Sequence, residues 1–161
     1  MWYFLTELLK DQYRLLVLDN RDSGLSERAN VAYSIKDMAE DLVNLMEDLE
    51  IEKAHLVGYS MGGAIAQEVA INHPELIDRL VLLATYDAAD PRGAELLRGF
   101  AYLRRYLDRE TYLKLTLPWG FTHKEYQIPG LIDSVVKEAL EDRLYQEPEA
   151  FERQMEATIS F

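Results

Sequence analysis

Five residues near the middle of the chain, Gly58-Tyr59-Ser60-Met61-Gly62, place a serine between two glycines at one residue's remove on each side. A serine hydroxyl attacks a carbonyl carbon only when a base takes its proton. The pattern gains meaning from its surroundings. An apolar run, "KAHLVGYS" (53–60), ends at Tyr59, and a run of small and apolar residues suited to a helix opens just after Ser60. A serine on so sharp a strand-to-helix turn is held in a strained conformation, with its hydroxyl projecting from the sheet edge. Glycine is expected on both flanks because larger side chains would collide with the strand and helix around the turn. Gly63 and Ala64 extend the small surface. The helix N-terminus favours nearby negative charge, and the Met61 N–H is placed to be one of two donors to a developing oxyanion. The plainer alternative is a glycine-rich turn whose serine does nothing.

A base must come from somewhere, and the chain has three histidines. His55 lies five residues before Ser60 on the same run, so its ring is expected to point along the sheet. His73 belongs to the "NHP" stop at the far end of the following helix, roughly 18 Å from the serine at a helical rise. His123, in "FTHKEY", is expected in a polar surface loop beyond the first helix of the C-terminal half. Asp87, after the third apolar run, is the best placed acid, yet it is expected to be a loop residue before Pro91. None of these residues is expected to activate Ser60.

The elements that position the serine follow from periodicity. "YRLLVLDN" (13–20), "KAHLVGYS" (53–60) and "RLVLLAT" (79–85) are apolar at consecutive positions, as strands buried on both faces of a parallel sheet are. Between the first two, Ile35, Met38, Leu42, Leu45, Met46 and Leu49 share a helical face. Ser34 is its N-cap, with Asp37 three residues on. A second helix is expected from Met61 to Asn72, packing through Ile65, Val69 and Ala70, and ended by Pro74. The alternation predicts an α/β fold with three parallel strands and right-handed crossovers. After the turn-rich "DAADPRG" the chain reads as helix throughout: 94–117, closed by "PWG", then 131–146 and 148–160. The opening "MWYFLTELLKDQYR" reads as an amphipathic helix, not a signal peptide, since charged residues interrupt its apolar run.

Composition narrows the function classes. The chain has 161 residues, enough for one domain with a sizeable core. Twenty-nine acidic against 17 basic residues argue against binding nucleic acid or an anionic membrane. There is no cysteine, which excludes disulfides and thiolate metal sites and fits a cytoplasmic location. No metal or organic cofactor is implied.

Two segments resemble the α/β-hydrolase superfamily. "VLDNRDSGLS" (17–26) is similar to its Asp-x-Arg-Gly-x-Gly-x-Ser loop, with Asp22 standing where that family usually has glycine. "HLVGYSMGG" (55–63) is similar to its nucleophile turn. "NHPELIDRLVLLAT" (72–85) resembles the stretch that follows, and "EPEAFERQMEATISF" (147–161) the end of the helical cap in small esterases and lactonases. The resemblance implies an α/β-hydrolase core over 1–90 and a helical cap over 91–161. It implies acyl transfer by Ser60, with the acid and the histidine C-terminal to the cap and a second oxyanion donor upstream of the first helix. These residues therefore read as the middle of a hydrolase, cut at both ends. The strand that would lie between 13–20 and 53–60 is not among them, leaving sheet edges open to self-association or to a complementing chain.

The resemblance further implies a small ester or lactone as the parent's substrate, in a pocket lined by some of Tyr102, Tyr106, Trp119 and Phe121. The serine argues against the haloalkane and epoxide hydrolases of the same fold, whose nucleophile is aspartate, and leaves peptidases, thioesterases and carbon–carbon bond hydrolases open, since all use this turn. The alternative is a non-catalytic module that binds a partner through its sheet edges or cap.

Overall fold

The computed structural model describes residues 2–161. Helix α1 (Tyr3–Leu9) buries none of its side chains; Tyr3, Phe4 and Leu8 are all exposed. Helix α2 (Ile35–Asp48) starts where the sequence predicts. The Ser34 hydroxyl accepts from the Asp37 N–H, and the Asp37 carboxylate accepts from the Ser34 N–H, a reciprocal pair worth about 1 kcal/mol to a helix. Strand β1 (Ala54–Tyr59) leads into helix α3 (Met61–Asn72), and a 3-10 turn opened by Pro74 leads into strand β2 (Ile77–Leu83). The two strands pair in parallel, Leu56 beside Leu80 and Tyr59 beside Leu83.

The sheet has two strands rather than the three expected. Residues 14–20 form no strand and join neither β1 nor β2. A run of apolar side chains makes a strand only where a neighbouring backbone completes the ladder, and among the described residues none pairs with this segment. Leu15, Leu16 and Val17 are exposed, while Leu18 reaches the core. Burial on both faces also fails for β2, where Val81, Leu82 and Leu83 are each about two-fifths exposed. Helix α3 covers one face only.

The core lies between α2, α3 and the last helix. Ile35, Met38, Ala39, Leu42 and Met46 of α2 meet Ala64, Ile65 and Val69 of α3, and Ala157 joins them from that last helix. Each large apolar side chain buried this way contributes on the order of 1.5–3 kcal/mol.

The C-terminal half is all helix, in shorter pieces than periodicity suggests. The single helix expected over 94–117 is two, α4 (Pro91–Tyr106) and α5 (Arg109–Thr116). Leu107 turns to an extended conformation, and the Asp108 carboxylate caps α5 by accepting from the Thr111 N–H. "FTHKEY" is not a loop: α6 (His123–Tyr126) is one turn with its own reciprocal cap between Thr122 and Glu125. Helix α7 (Leu131–Glu141) stops five residues short of expectation. There Arg109 donates to the carbonyls of Ala139, Leu140 and Asp142 and stacks on Tyr145, satisfying groups a longer helix would have used. Helix α8 (Pro148–Ile159) packs against α4 and the core. Among the described residues, no helix is long and apolar enough to cross a membrane.

Candidate active site

Ser60 sits between β1 and α3 at φ +51° and ψ −122°, a conformation that a residue with a side chain rarely adopts. The surrounding structure holds it there by its backbone. The Ser60 N–H donates to the Leu83 carbonyl (3.0 Å). Its own carbonyl accepts from the Gly63 N–H (2.8 Å), the Ala64 N–H (3.4 Å) and the Thr85 hydroxyl (2.8 Å). Every backbone polar group of the residue is therefore engaged. The residue is exposed, and its hydroxyl makes no hydrogen bond among the described residues.

The close packing at this turn differs in one respect from the symmetric expectation. A Cβ on Gly58 would lie 2.4 Å from the Gly62 carbonyl oxygen and 2.6 Å from the Gly63 Cα. A Cβ on Gly63 would fall 2.5 Å from both Cβ and Oγ1 of Thr85. At Gly62, by contrast, no described atom comes within 4 Å. Gly58 and Gly63 carry the steric requirement, and Gly62 does not. Thr85 is the residue the sequence pattern missed. It fills the space a Gly63 side chain would need and ties the end of β2 to the Ser60 carbonyl. Its only signal was a hydroxyl at the close of an apolar strand.

Helix α3 begins at Met61, so the first N–H groups of the helix lie beside Ser60. Those of Gly63 and Ala64 are used by the Ser60 carbonyl. Those of Met61 and Gly62 have no backbone acceptor among the described residues, leaving the Met61 donor available to an anion.

Two of the three histidines are engaged elsewhere, and the third is exposed at a helix start. His55 Nδ1 is 3.0 Å from the Asp78 carboxylate, and its ring meets Tyr13 edge-on. Five residues of strand separate it from Ser60, about 16 Å. His73 is 3.2 Å from Glu40 and 3.8 Å from Glu75, at the far end of α3. His123 is exposed at the first position of α6. Asp87 is exposed in the loop after β2.

The four aromatic residues considered as a pocket do not form one closed cavity here. Tyr102 and Tyr106 pack on each other at 4.6 Å on the outer face of α4 and are about two-thirds exposed. Trp119 packs edge-on against Phe100 and is 61% exposed, and Phe121 is half-buried.

The loop at 20–29 overlaps the other segment the sequence singled out, 17–26. Asp22 is fully buried and adopts φ +68°, the left-handed conformation that glycine takes without strain. It compensates by hydrogen bonding. Its carboxylate accepts from the Ala29 N–H, the Tyr33 hydroxyl and two nitrogens of Arg153, all at 2.7–2.9 Å. Burial alone would push this carboxyl up; the bonds from Arg153, Tyr33 and Ala29 outweigh it and hold the group below the usual aspartate range. Burial and the Asp22 carboxylate push the Tyr33 phenol up.

Comparison with known proteins agrees with this geometry. A family model for the α/β hydrolase fold matches residues 1–146. RutD of Agrobacterium fabrum, whose name assigns it provisionally to carbamate hydrolysis, is 35% identical over 93 residues, covering 57% of this chain and 36% of that protein. The 2-hydroxymuconate semialdehyde hydrolase of Pseudomonas sp. CF600 is 37% identical over 114 residues, covering 66% of this chain and 40% of that enzyme. The aligned stretch thus spans well under half of these relatives' length. In fold, the chain superposes on the enol-lactonase from Burkholderia xenovorans LB400 with a TM-score of 0.83 at 24% identity, covering 98% of this chain and 59% of that one. The α/β hydrolase MGS-M2, from a Medee basin deep-sea metagenome library, gives 0.87 at 22% identity, covering 99% and 58%. The strained serine between a parallel strand and a helix, and the match along nearly the whole chain, lead to one conclusion: this chain belongs to the α/β-hydrolase fold family.

Proposed function

We propose that Ser60 is the nucleophile of a serine hydrolase that cleaves carboxylic ester or lactone bonds. One observation carries the proposal. A non-glycine residue stands at φ +51° with its whole backbone engaged and its hydroxyl free and exposed. Strain that is stabilised by its surroundings and presents an unbonded nucleophile is the arrangement acyl transfer uses. In the proposed reaction Ser60 Oγ attacks the carbonyl carbon while the base takes its proton, and the Met61 N–H donates to the oxyanion. The ester C–O bond then breaks, the alkoxide leaving as the alcohol with that proton, and water later attacks the acyl-serine to release the acid and restore the hydroxyl. The base that takes the hydroxyl proton, and the acid that orients it, are not assigned to any of the three histidines: His55 and His73 face carboxylates of their own, and His123 lies exposed on α6. Helices α4–α8 form the cap that shapes the substrate site, with some of Tyr102, Tyr106, Trp119 and Phe121 as its apolar contribution. The cysteine-free sequence supports a cytoplasmic setting.

A fluorophosphonate probe tests the assignment in a chain carrying the missing base and acid. Labelling is expected in the parent and lost in Ser60→Ala; equal labelling of the two would refute it. A second property rests on a separate observation, the exposed apolar side chains of Val81, Leu82 and Leu83 on an open two-stranded sheet. The sheet supports self-association or binding of a complementing chain. Light scattering that finds only monomer at all concentrations would count against this.

A further inference from the structure

The most enclosed polar side chain among the described residues takes no part in the proposed reaction. Asp22 is wholly buried at a left-handed position, and glycine there would be free of strain. What aspartate adds is its carboxylate. Both arms of Arg153 fork onto it, Nε at 2.8 Å and Nη2 at 2.7 Å, across 131 residues of sequence. The next residue of α8 repeats the attachment. Gln154 Nε2 donates to the Arg21 carbonyl and to the Ser23 hydroxyl, both at 2.8 Å. Three consecutive residues of the 20–29 loop are thus gripped by two consecutive side chains of α8.

Toward the core, α8 offers little shape interlock. Its other fully buried side chains are Ala150, Ala157 and Thr158, all small, while the half-buried Phe151 makes its contacts with Tyr112 of α5 and Arg104 of α4. Small side chains resist separation from the core but resist rolling and sliding weakly, because shape interlock needs side chains of unequal size. A planar guanidinium on a carboxylate fixes both distance and angle. From α8 the constraint passes to α4. Arg105 pairs with Glu149 (3.0 Å) and Glu152 (3.1 Å), and Arg98 lies 3.7 Å from Glu156. Helix α4 carries Tyr102 and Tyr106.

We infer that the Asp22–Arg153 pair is a latch that sets the position of the α4–α8 cap relative to the Ser60 turn, both members acting as positioning residues that never touch substrate. The inference rests on α4–α8 being the cap, while its test depends on no chemistry at Ser60. The chain has no cysteine, so two introduced ones take spin labels uniquely. Glu47→Cys on α2 and Lys137→Cys on α7 place the labels on exposed positions of the core and the cap. Pulsed electron–electron resonance is expected to give one narrow distance in the labelled parent. Asp22→Gly, which relieves strain while deleting the carboxylate, is expected to lose that narrow distance. Acetate, entering the vacated cradle of Ala29, Tyr33 and Arg153, is expected to restore it where chloride at equal ionic strength does not. If circular dichroism shows Asp22→Gly unfolded, Arg153→Lys serves instead. It keeps the charge, loses the fork, and is expected to broaden the distance. An unchanged distribution in the folded variant, or a loss that chloride reverses as well as acetate, overturns the latch. Fluorophosphonate labelling of Ser60 is unaffected by either result, so failure of the latch and failure of the hydrolase assignment remain separate.

Discussion

Alanine at Gly58 and alanine at Gly62 are expected to act in opposite directions, although the two glycines look equivalent in the sequence. At Gly58 the new Cβ meets the Gly62 carbonyl oxygen at 2.4 Å, about 1 Å inside the 3.4 Å where ordinary contact begins. It also meets the Gly63 Cα at 2.6 Å. Both are backbone atoms in the first turn of α3, and that turn is held through the Ser60 carbonyl. Relief therefore requires moving the turn itself. Overpacking against so rigid a neighbour costs about 3 kcal/mol, the upper end of the usual range. For a chain of this size that lowers Tm by roughly 6–12 °C. At Gly62 there is nothing within 4 Å, and its φ is not positive. Alanine there favours the helix and restricts the unfolded chain, so a gain of about 0.5 kcal/mol is expected. Thermal and urea unfolding followed by far-ultraviolet circular dichroism would measure both. Equal losses at the two positions, or a neutral Gly58→Ala, would refute the steric reasoning.

Two further predictions follow from strained or buried groups. Ser60→Gly removes strain at φ +51° and adds chain entropy to the unfolded state, for a net gain of about 0.5 kcal/mol together with complete loss of fluorophosphonate labelling; a less stable Ser60→Gly would mean that the turn is not strained. Asp22 is held below its unfolded range, so its contribution is fully present above about pH 4 and is lost as pH falls through the folded value. The groups facing it are Arg153, Tyr33 and the Ala29 N–H. Asp22→Asn is expected to cost about 3 kcal/mol near neutral pH, with the gap to wild type closing below about pH 4; urea midpoints that stay equally far apart into strong acid would contradict this.

What the sequence made legible was local. The Ser34–Asp37 cap and the start of α3 just after Ser60 depend on residues within four positions of one another, and each stands where the pattern puts it. Three other features depend on partners that periodicity does not see. "YRLLVLDN" has the composition of a buried strand, yet pairing needs a second backbone, and composition cannot supply one. The break at Leu107 lies inside continuous helical periodicity; Asp108 followed by Thr111 was the cap signal that marked it. The stop of α7 at Glu141 depends on Arg109, which is 30 residues or more from the carbonyls it satisfies. At the candidate site, Gly58 and Gly62 look alike in the motif because a pattern records identity and not clearance. Asp22 stood out only as a departure from glycine, and its partner was invisible at a separation of 131 residues.

That separation also bears on how the protein comes into being on the ribosome. At the usual elongation speed of about 5–20 residues per second, roughly 7–26 s pass between the synthesis of Asp22 and that of Arg153. Throughout that interval the 20–29 loop has Tyr33 and the Ala29 N–H for its carboxylate but no cation. Joining its two ends then carries a loop-closure cost of about 4 kcal/mol. The nascent protein can nucleate α2, β1 and α3 early, from contacts close in sequence. It must wait for α8 to close over the loop, and during that wait the apolar faces of α2 and the sheet are open to chaperones or to other nascent copies of the same chain.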